Sequence, residues 1–207
     1  LAKLDAQRMD LHNTRVDLAA LVREQAEQFH AVAPQLDLSY SVAVPKALRA
    51  VLDQDKTERI LQNLLSNAFK FTPPGGRVRC TLEKAGRDRC LIKVQDSGPG
   101  VAPEMRQLIF ERFRQGQTGT TRNFGGTGLG LSIAREFTEL MHGNITVSAA
   151  TGGGSLFQVE LPLEPPPGEL ALHDPAAAER PFATPSPNNA LAELTAPAEA
   201  TRNAEAP

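Results

Sequence analysis

Asn63, Asn67 and Lys70 stand at i, i+4 and i+7 of one apolar-periodic stretch, so two amide oxygens and an ammonium project from a single helical stripe. An amide oxygen is a hard, neutral ligand suited to a Mg²⁺ ion that already carries phosphate oxygens, and the ammonium can neutralise phosphate charge. Asp96 opens a second candidate, "DSGPG", at the end of an alternating strand. A carboxylate there accepts a hydrogen bond from an exocyclic amine and repels a carbonyl oxygen, which selects adenine over guanine. Gly98 and Gly100 would let the backbone approach a ring with no side chain between. A third candidate, "GGTGLG" from Gly125 to Gly130, runs into an apolar helical segment whose first amides and dipole favour an anion. It is not a dinucleotide fingerprint, because the preceding Gln115 to Phe124 is polar and irregular. Nor is it a P-loop, because Leu131-Ser132 stands where Lys-Ser or Lys-Thr is needed. Taken singly, each candidate also has a plain structural reading: a solvated helix face, an ordinary turn, a hinge loop.

The elements that must position these groups follow from periodicity. Leu1, Leu4 and Leu11 have near-heptad spacing and read as the last turns of a longer helix. Asp17 can cap a helix with Leu18, Leu21, Val22, Ala26 and Phe29 on one face, ending before Pro34. Leu36, Leu38, Tyr40 and Val42 alternate as a strand, and Leu48 to Leu52 reads as another. Asp55 to Phe69 is a helix with Ile60, Leu61, Leu64, Leu65 and Ala68 inward, stopped by "TPPGG". A hairpin follows, carried by Val78, Cys80 and Leu82 and by Ile92, Val94 and Asp96; Pro103 to Phe110 suggests a short helix. Leu129 to Met141 is helical, with Ile133, Ala134, Phe137, Leu140 and Met141 inward and Gly143 as terminator. A closing hairpin turns at Gly152 to Gly154, most simply a plain turn.

From Pro165 the composition changes. Nine of the 16 prolines lie in the last 43 residues with Phe182 the only aromatic, so this segment reads as a linker or tail without a core of its own. The two cysteines, Cys80 and Cys90, fall in neighbouring strands but match no zinc or redox spacing, and read as small buried apolar residues in a reduced compartment. A net charge of −2 calls for no nucleic-acid partner, and no apolar run is long enough to span a bilayer.

The ordered pieces "DKTERILQNLLSNAFKFTPPGG", "DSGPG", "IFERFRQ", "GGTGLGLSIAR" and "TGGGSLFQVELP" closely resemble the catalytic ATP-binding domain of sensor histidine kinases. They resemble that family's N, G1, F and G2 boxes and its last glycine-rich turn, over about residues 30–163. The resemblance implies an α/β (α+β) two-layer sandwich, the Bergerat fold, with a mixed sheet and helices on one face, and it implies ATP and Mg²⁺ as cofactors. It makes Asn67 the Mg²⁺ ligand with Asn63 beside it, turns Lys70 to the phosphates and places Phe71 near the ribose. Asp96 would read adenine over the close-approach glycines Gly98 and Gly100. Phe110 and Phe113 would anchor a lid spanning Gln115 to Thr127, with Arg114, Gln115 and Arg122 as phosphate contacts. Gly126, Thr127, Gly128, Leu129 and Gly130 would wrap the phosphates.

The family phosphorylates a histidine followed by an acidic residue on a separate dimerisation domain. Here His12, His30 and His142 precede Asn, Ala and Gly, and His173 precedes Asp174 only in the proline-rich tail, so the acceptor is expected elsewhere. The resulting division is residues 1–14 as the end of the second dimerisation helix, 15–163 as the catalytic ATP-binding domain, and 164–207 as linker or tail. The implied partners are an upstream dimerisation domain and a response regulator receiver domain. "FERFRQ" followed by "GGTGLGL" resembles the hybrid kinases, which carry a receiver after the catalytic domain. No direct membrane contact is expected, and the domain would sit in the cytoplasm. Two other functions share the site. A self-contained ATPase of the same superfold would carry a glutamate where Asn63 stands, because hydrolysis needs a base. A nucleotide-sensing module would bind without chemistry.

Overall fold

The computed structural model describes residues 11–112 and 128–167. A five-stranded sheet has the order β2 (Ser39–Ala43), β4 (Arg77–Ala85), β5 (Arg89–Asp96), β7 (Ser155–Pro162), β6 (Asn144–Ala149). Only β2–β4 is parallel; the remaining pairs are antiparallel. The register aligns Cys80 with Val94, Ile92 with Val159 and Val147 with Phe157, so every apolar residue of the alternating pattern faces one side. That side is covered by α1 (Leu18–Glu27), α2 (Gln54–Phe71) and α3 (Gly130–Leu140). The fold is the expected α/β two-layer sandwich.

Helix α2 is the centre of the core. Its Ile60, Leu61, Leu64 and Leu65 are fully buried against Ile92, Val94, Val159 and Leu161, each such side chain worth about 1.5–3 kcal/mol of transfer free energy. Asp53 caps its start through Lys56 N (3.0 Å), and Thr72 closes its end by donating Oγ1 to Ala68 O (2.6 Å) before Pro73 and Pro74 forbid continuation. The Asp17 cap expected for α1 is present, with Oδ1 accepting from Ala19 N (3.0 Å) and Ala20 N (3.3 Å).

Several boundaries differ from the sequence expectation. Strand β1 (Asn13–Asp17) pairs antiparallel with β3 (Arg49–Asp53) in a separate two-stranded sheet that periodicity did not announce. Asn13 and Thr14, at the end of the segment read as helix, belong to this strand, while residues 1–10 lie outside the described residues. Leu36 and Leu38 precede β2: Pro34–Leu36 form a 3₁₀ turn closed by Asp37 in the left-handed region, φ 54°. Pro103 to Phe110 is two 3₁₀ turns, too short a stretch to repay helix nucleation. At the end of α3 the left-handed residue is His142, φ 57°, and not Gly143. Gly143 is needed for another reason: a Cβ there would stand 2.4 Å from Glu160 O of β7. Cys80 and Cys90 are buried free thiols, pushed up to about 12 and about 11 by burial, and the register sets them opposite Val94 and Lys84 and not each other.

Candidate functional site

Strand β5 ends in Asp96, whose alternation turns it inward among apolar neighbours; it is 6% exposed. Its Oδ1 accepts from Gly98 N (2.8 Å) and Ser155 N (3.3 Å). Burial pushes the carboxyl pKa up, and these donors together with the Ser155 side chain pull it part of the way back. Gly98 must lack a side chain, because a Cβ would meet Phe71 O at 2.8 Å and Asp96 Oδ1 at 2.9 Å. The end of α2 and the end of β5 are thereby held in contact. Gly100, φ 77°, sits against Gly154 O.

The triglycine is more than a plain turn. Gly152 and Gly153 have open space around them, but a Cβ on Gly154, φ 93°, would stand 2.0 Å from Asp96 O. Gly154 and Ser155 were not among the sequence candidates. A third glycine, where a two-residue hairpin loop uses at most two, was the available signal. Ser97 is a second missed residue, its Oγ accepting from Arg77 N (2.8 Å) to tie the "DSGPG" turn to the start of β4.

Asn63, Asn67 and Lys70 are half-buried on one stripe of α2 as expected, and among the described residues neither asparagine amide makes a hydrogen bond. Lys70 Nζ lies 5.5 Å from the Phe71 ring centroid, and Phe71, 50% exposed, is the exposed large hydrophobic side chain among the described residues. Helix α3 begins beside them. A Cβ on Gly130 would stand 2.8 Å from Asn63 Oδ1, so the first turn of α3 lies directly against the Asn63 side chain of α2. Gly128 has φ 68°, Leu129 is half-buried, and no side chain caps the first turn of α3. Those leading N–H groups are oriented to meet an anion.

Phe110 is 7% exposed and packs edge-on to Phe157, centroids 6.4 Å apart. Phe113, Arg114, Gln115, Arg122, Gly126 and Thr127 lie outside the described residues. Among the described residues no group of three or more His, Cys, Asp or Glu side chains could hold a metal; the oxygen donors on this stripe of α2 are the amides of Asn63 and Asn67. Those neutral donors suit a cation that brings phosphate oxygens with it. A cavity of about 930 Å³ lies elsewhere, lined by Arg15, Arg49, Lys84 and Arg87 among others, and contains none of the motif residues.

Residues 52–165 match the family described as histidine kinase-, DNA gyrase B-, and HSP90-like ATPase. The chain is 50% identical over 175 residues to the sensor histidine kinase TmoS of Ectopseudomonas mendocina, an alignment covering 84% of this chain and 18% of that protein. Among solved structures it is similar to full-length ShkA in complex with AMPPNP, with a TM-score of 0.66 and 32% identity, covering 78% of this chain and 33% of that one. It is also similar to the histidine kinase ThkA in complex with the response regulator protein TrrA, with a TM-score of 0.63 and 26% identity, covering 74% and 42%. The chain spans 11–32% of the length of the first five curated relatives it matches. No helix among the described residues is long and apolar enough to cross a membrane.

Proposed function

The chain belongs to the histidine kinase-, DNA gyrase B-, and HSP90-like ATPase family, as the catalytic domain of a two-component sensor histidine kinase, and from that premise we propose how its residues hold Mg-ATP and pass on the γ-phosphoryl group. The observation that carries the reading is Asp96: a buried carboxylate held at Oδ1 by two backbone N–H groups and floored by glycines that admit no side chain. An adenine amine would be read by Oδ2 of this carboxylate, while a guanine carbonyl would meet its negative charge. Phe71 would face the ribose, and Lys70 beside it would neutralise phosphate charge.

Asn67, with Asn63 one turn earlier, would hold Mg²⁺, which when bound spreads positive charge over the phosphate oxygens. The amides of Gly128, Leu129 and Gly130 would take the phosphates at the start of α3, and Gly126 and Thr127 would continue that wrap. Arg114, Gln115 and Arg122 would contact the phosphates from a lid anchored by Phe110 and Phe113. Phosphoryl transfer depends mainly on positioning and charge neutralisation, so these residues can present the γ-phosphoryl to a histidine supplied elsewhere on the dimerisation domain.

The segment 1–14 would be the end of that domain's second helix, with the catalytic unit at 15–163 and a linker or tail at 164–207. The histidine kinase–response regulator complex among the similar structures supports a receiver domain as the next partner. A receiver fused beyond residue 207, and a cytoplasmic setting, complete the proposal. Asn63 weighs against a self-contained ATPase, because an amide cannot take a proton from an attacking water.

A calorimetric titration with ATP and with GTP in Mg²⁺, beside Asp96→Asn and with phosphate release followed, tests this. ATP-selective binding that the variant loses, with negligible release, is the expected result. Rapid release by the isolated chain would favour the ATPase, and absence of binding would overturn the site.

A further inference from the structure

Helix α2 begins against the electrostatic rule for helix starts. Lys56 occupies the third helical position after the Asp53 cap, where the positive end of the helix dipole disfavours a cation and a glutamate or glutamine is the usual partner. Its side chain is only 12% exposed, which adds a desolvation cost. Asp53, 2% exposed, takes three donors: Lys56 N at Oδ1 (3.0 Å), then Lys56 Nζ (2.7 Å) and His12 N (2.9 Å) at Oδ2. A cap needs only the first of these.

The other two donors lead to different parts of the fold. His12 is the residue through which the chain enters β1, and Asn13 beside it pairs with Asp53 in the β1–β3 register. Lys56 Nζ lies 5.9 Å from the ring centroid of Phe137 on α3. One residue on, the Thr57 hydroxyl donates to Asp53 O (2.7 Å) and stands 3.8 Å from Sδ of Met141 at the end of α3. Helix α3 therefore runs antiparallel to α2, its last turns seated on this cluster and its first residue, Gly130, against Asn63. A local rule broken at some cost, with no benefit to the helix itself, is where a role beyond folding is expected.

We propose that the Asp53–Lys56 pair is a positioning joint: it fixes the seat of α3 on α2 according to where the chain enters at His12, and so sets the nucleotide affinity of the site at the far end of both helices. The inference rests on the reading of Asn63, Asn67 and Asp96 as the ATP site. In this reading the entering segment acts on that site through the packing of α3.

The test uses the 207-residue chain, Mg²⁺ and a fluorescent ATP analogue, at a temperature where circular dichroism shows each variant folded. His12→Pro deletes the entering donor, and Lys56→Met removes the charge while keeping a stem of similar length under Phe137. Each is expected to weaken binding about five- to tenfold, the double variant no more than either alone, with Lys56→Arg restoring most of the loss. Folded variants that bind within twofold of the unmodified chain, or two losses that multiply, overturn the joint. Hydrogen exchange on Lys56→Met gives an independent readout should His12→Pro not fold: faster exchange from Ser132 to Phe137 supports the joint, and unchanged protection overturns it. Failure of the unmodified chain to bind the analogue would instead overturn the site assignment, and the joint's proposed output with it.

Discussion

The first turn of α2 and its second half carry similar polar groups under different conditions. In the first turn Asp53 is buried and Lys56 largely covered, and the two are bonded to each other, to the helix and to the entering chain. In the second half Asn63, Asn67 and Lys70 are half-buried, and the two amides make no hydrogen bond among the described residues. Polar groups whose bonding capacity is used up inside the protein hold it together, whereas groups with capacity left over are available to a ligand. One helix does both, with the fully buried face of Ile60, Leu61, Leu64 and Leu65 between them.

That contrast can be broken most severely at Asp53. Asp53→Ala strands the Lys56 ammonium and removes the cap, so a loss of about 3–5 kcal/mol in unfolding free energy is expected, read by urea denaturation. Asn67→Ala should do the reverse, shifting stability by no more than about 0.5 kcal/mol while weakening ATP binding in Mg²⁺ at least about a hundredfold, or about 2.7 kcal/mol by calorimetry. A smaller effect separates Asp96 from both. Its pKa is raised in the fold, so the protonated form is favoured; that stabilisation is present below the ordinary carboxylate range and is lost as pH rises through the raised value. Asp96→Asn should therefore melt at or above the unmodified chain at neutral pH, with the difference shrinking as pH falls, even though ATP binding is lost throughout. Phe71→Ser, at a half-exposed position, should change stability by less than about 0.5 kcal/mol and cost affinity alone.

What the sequence made legible was whatever repeats or breaks a repeat. The buried stripe of α2 recurs at helical spacing, and the strands β4, β5 and β7 alternate cleanly, so these elements and the stripe of Asn63, Asn67 and Lys70 could be placed from periodicity, while the sandwich they form came from the family resemblance. Strand β1 could not, because "NTRVD" has one apolar side chain and exists through its pairing with β3. His142 took the left-handed position expected of Gly143, because the glycine was already required where the backbone passes Glu160. Asp96 was visible as a carboxylate at a strand end, but its support from Ser155 spans 59 residues and no local pattern carries it.

The hairpin between β6 and β7 has a further use. Gly152 and Gly153 border empty space, two residues and one residue before the glycine that presses on the backbone of Asp96. A short glycine-flanked insertion at that tip would ride on a rigid base beside the adenine-reading carboxylate without entering it. The loop is thus a natural attachment point for an optical reporter, turning the domain into a sensor of its own nucleotide occupancy.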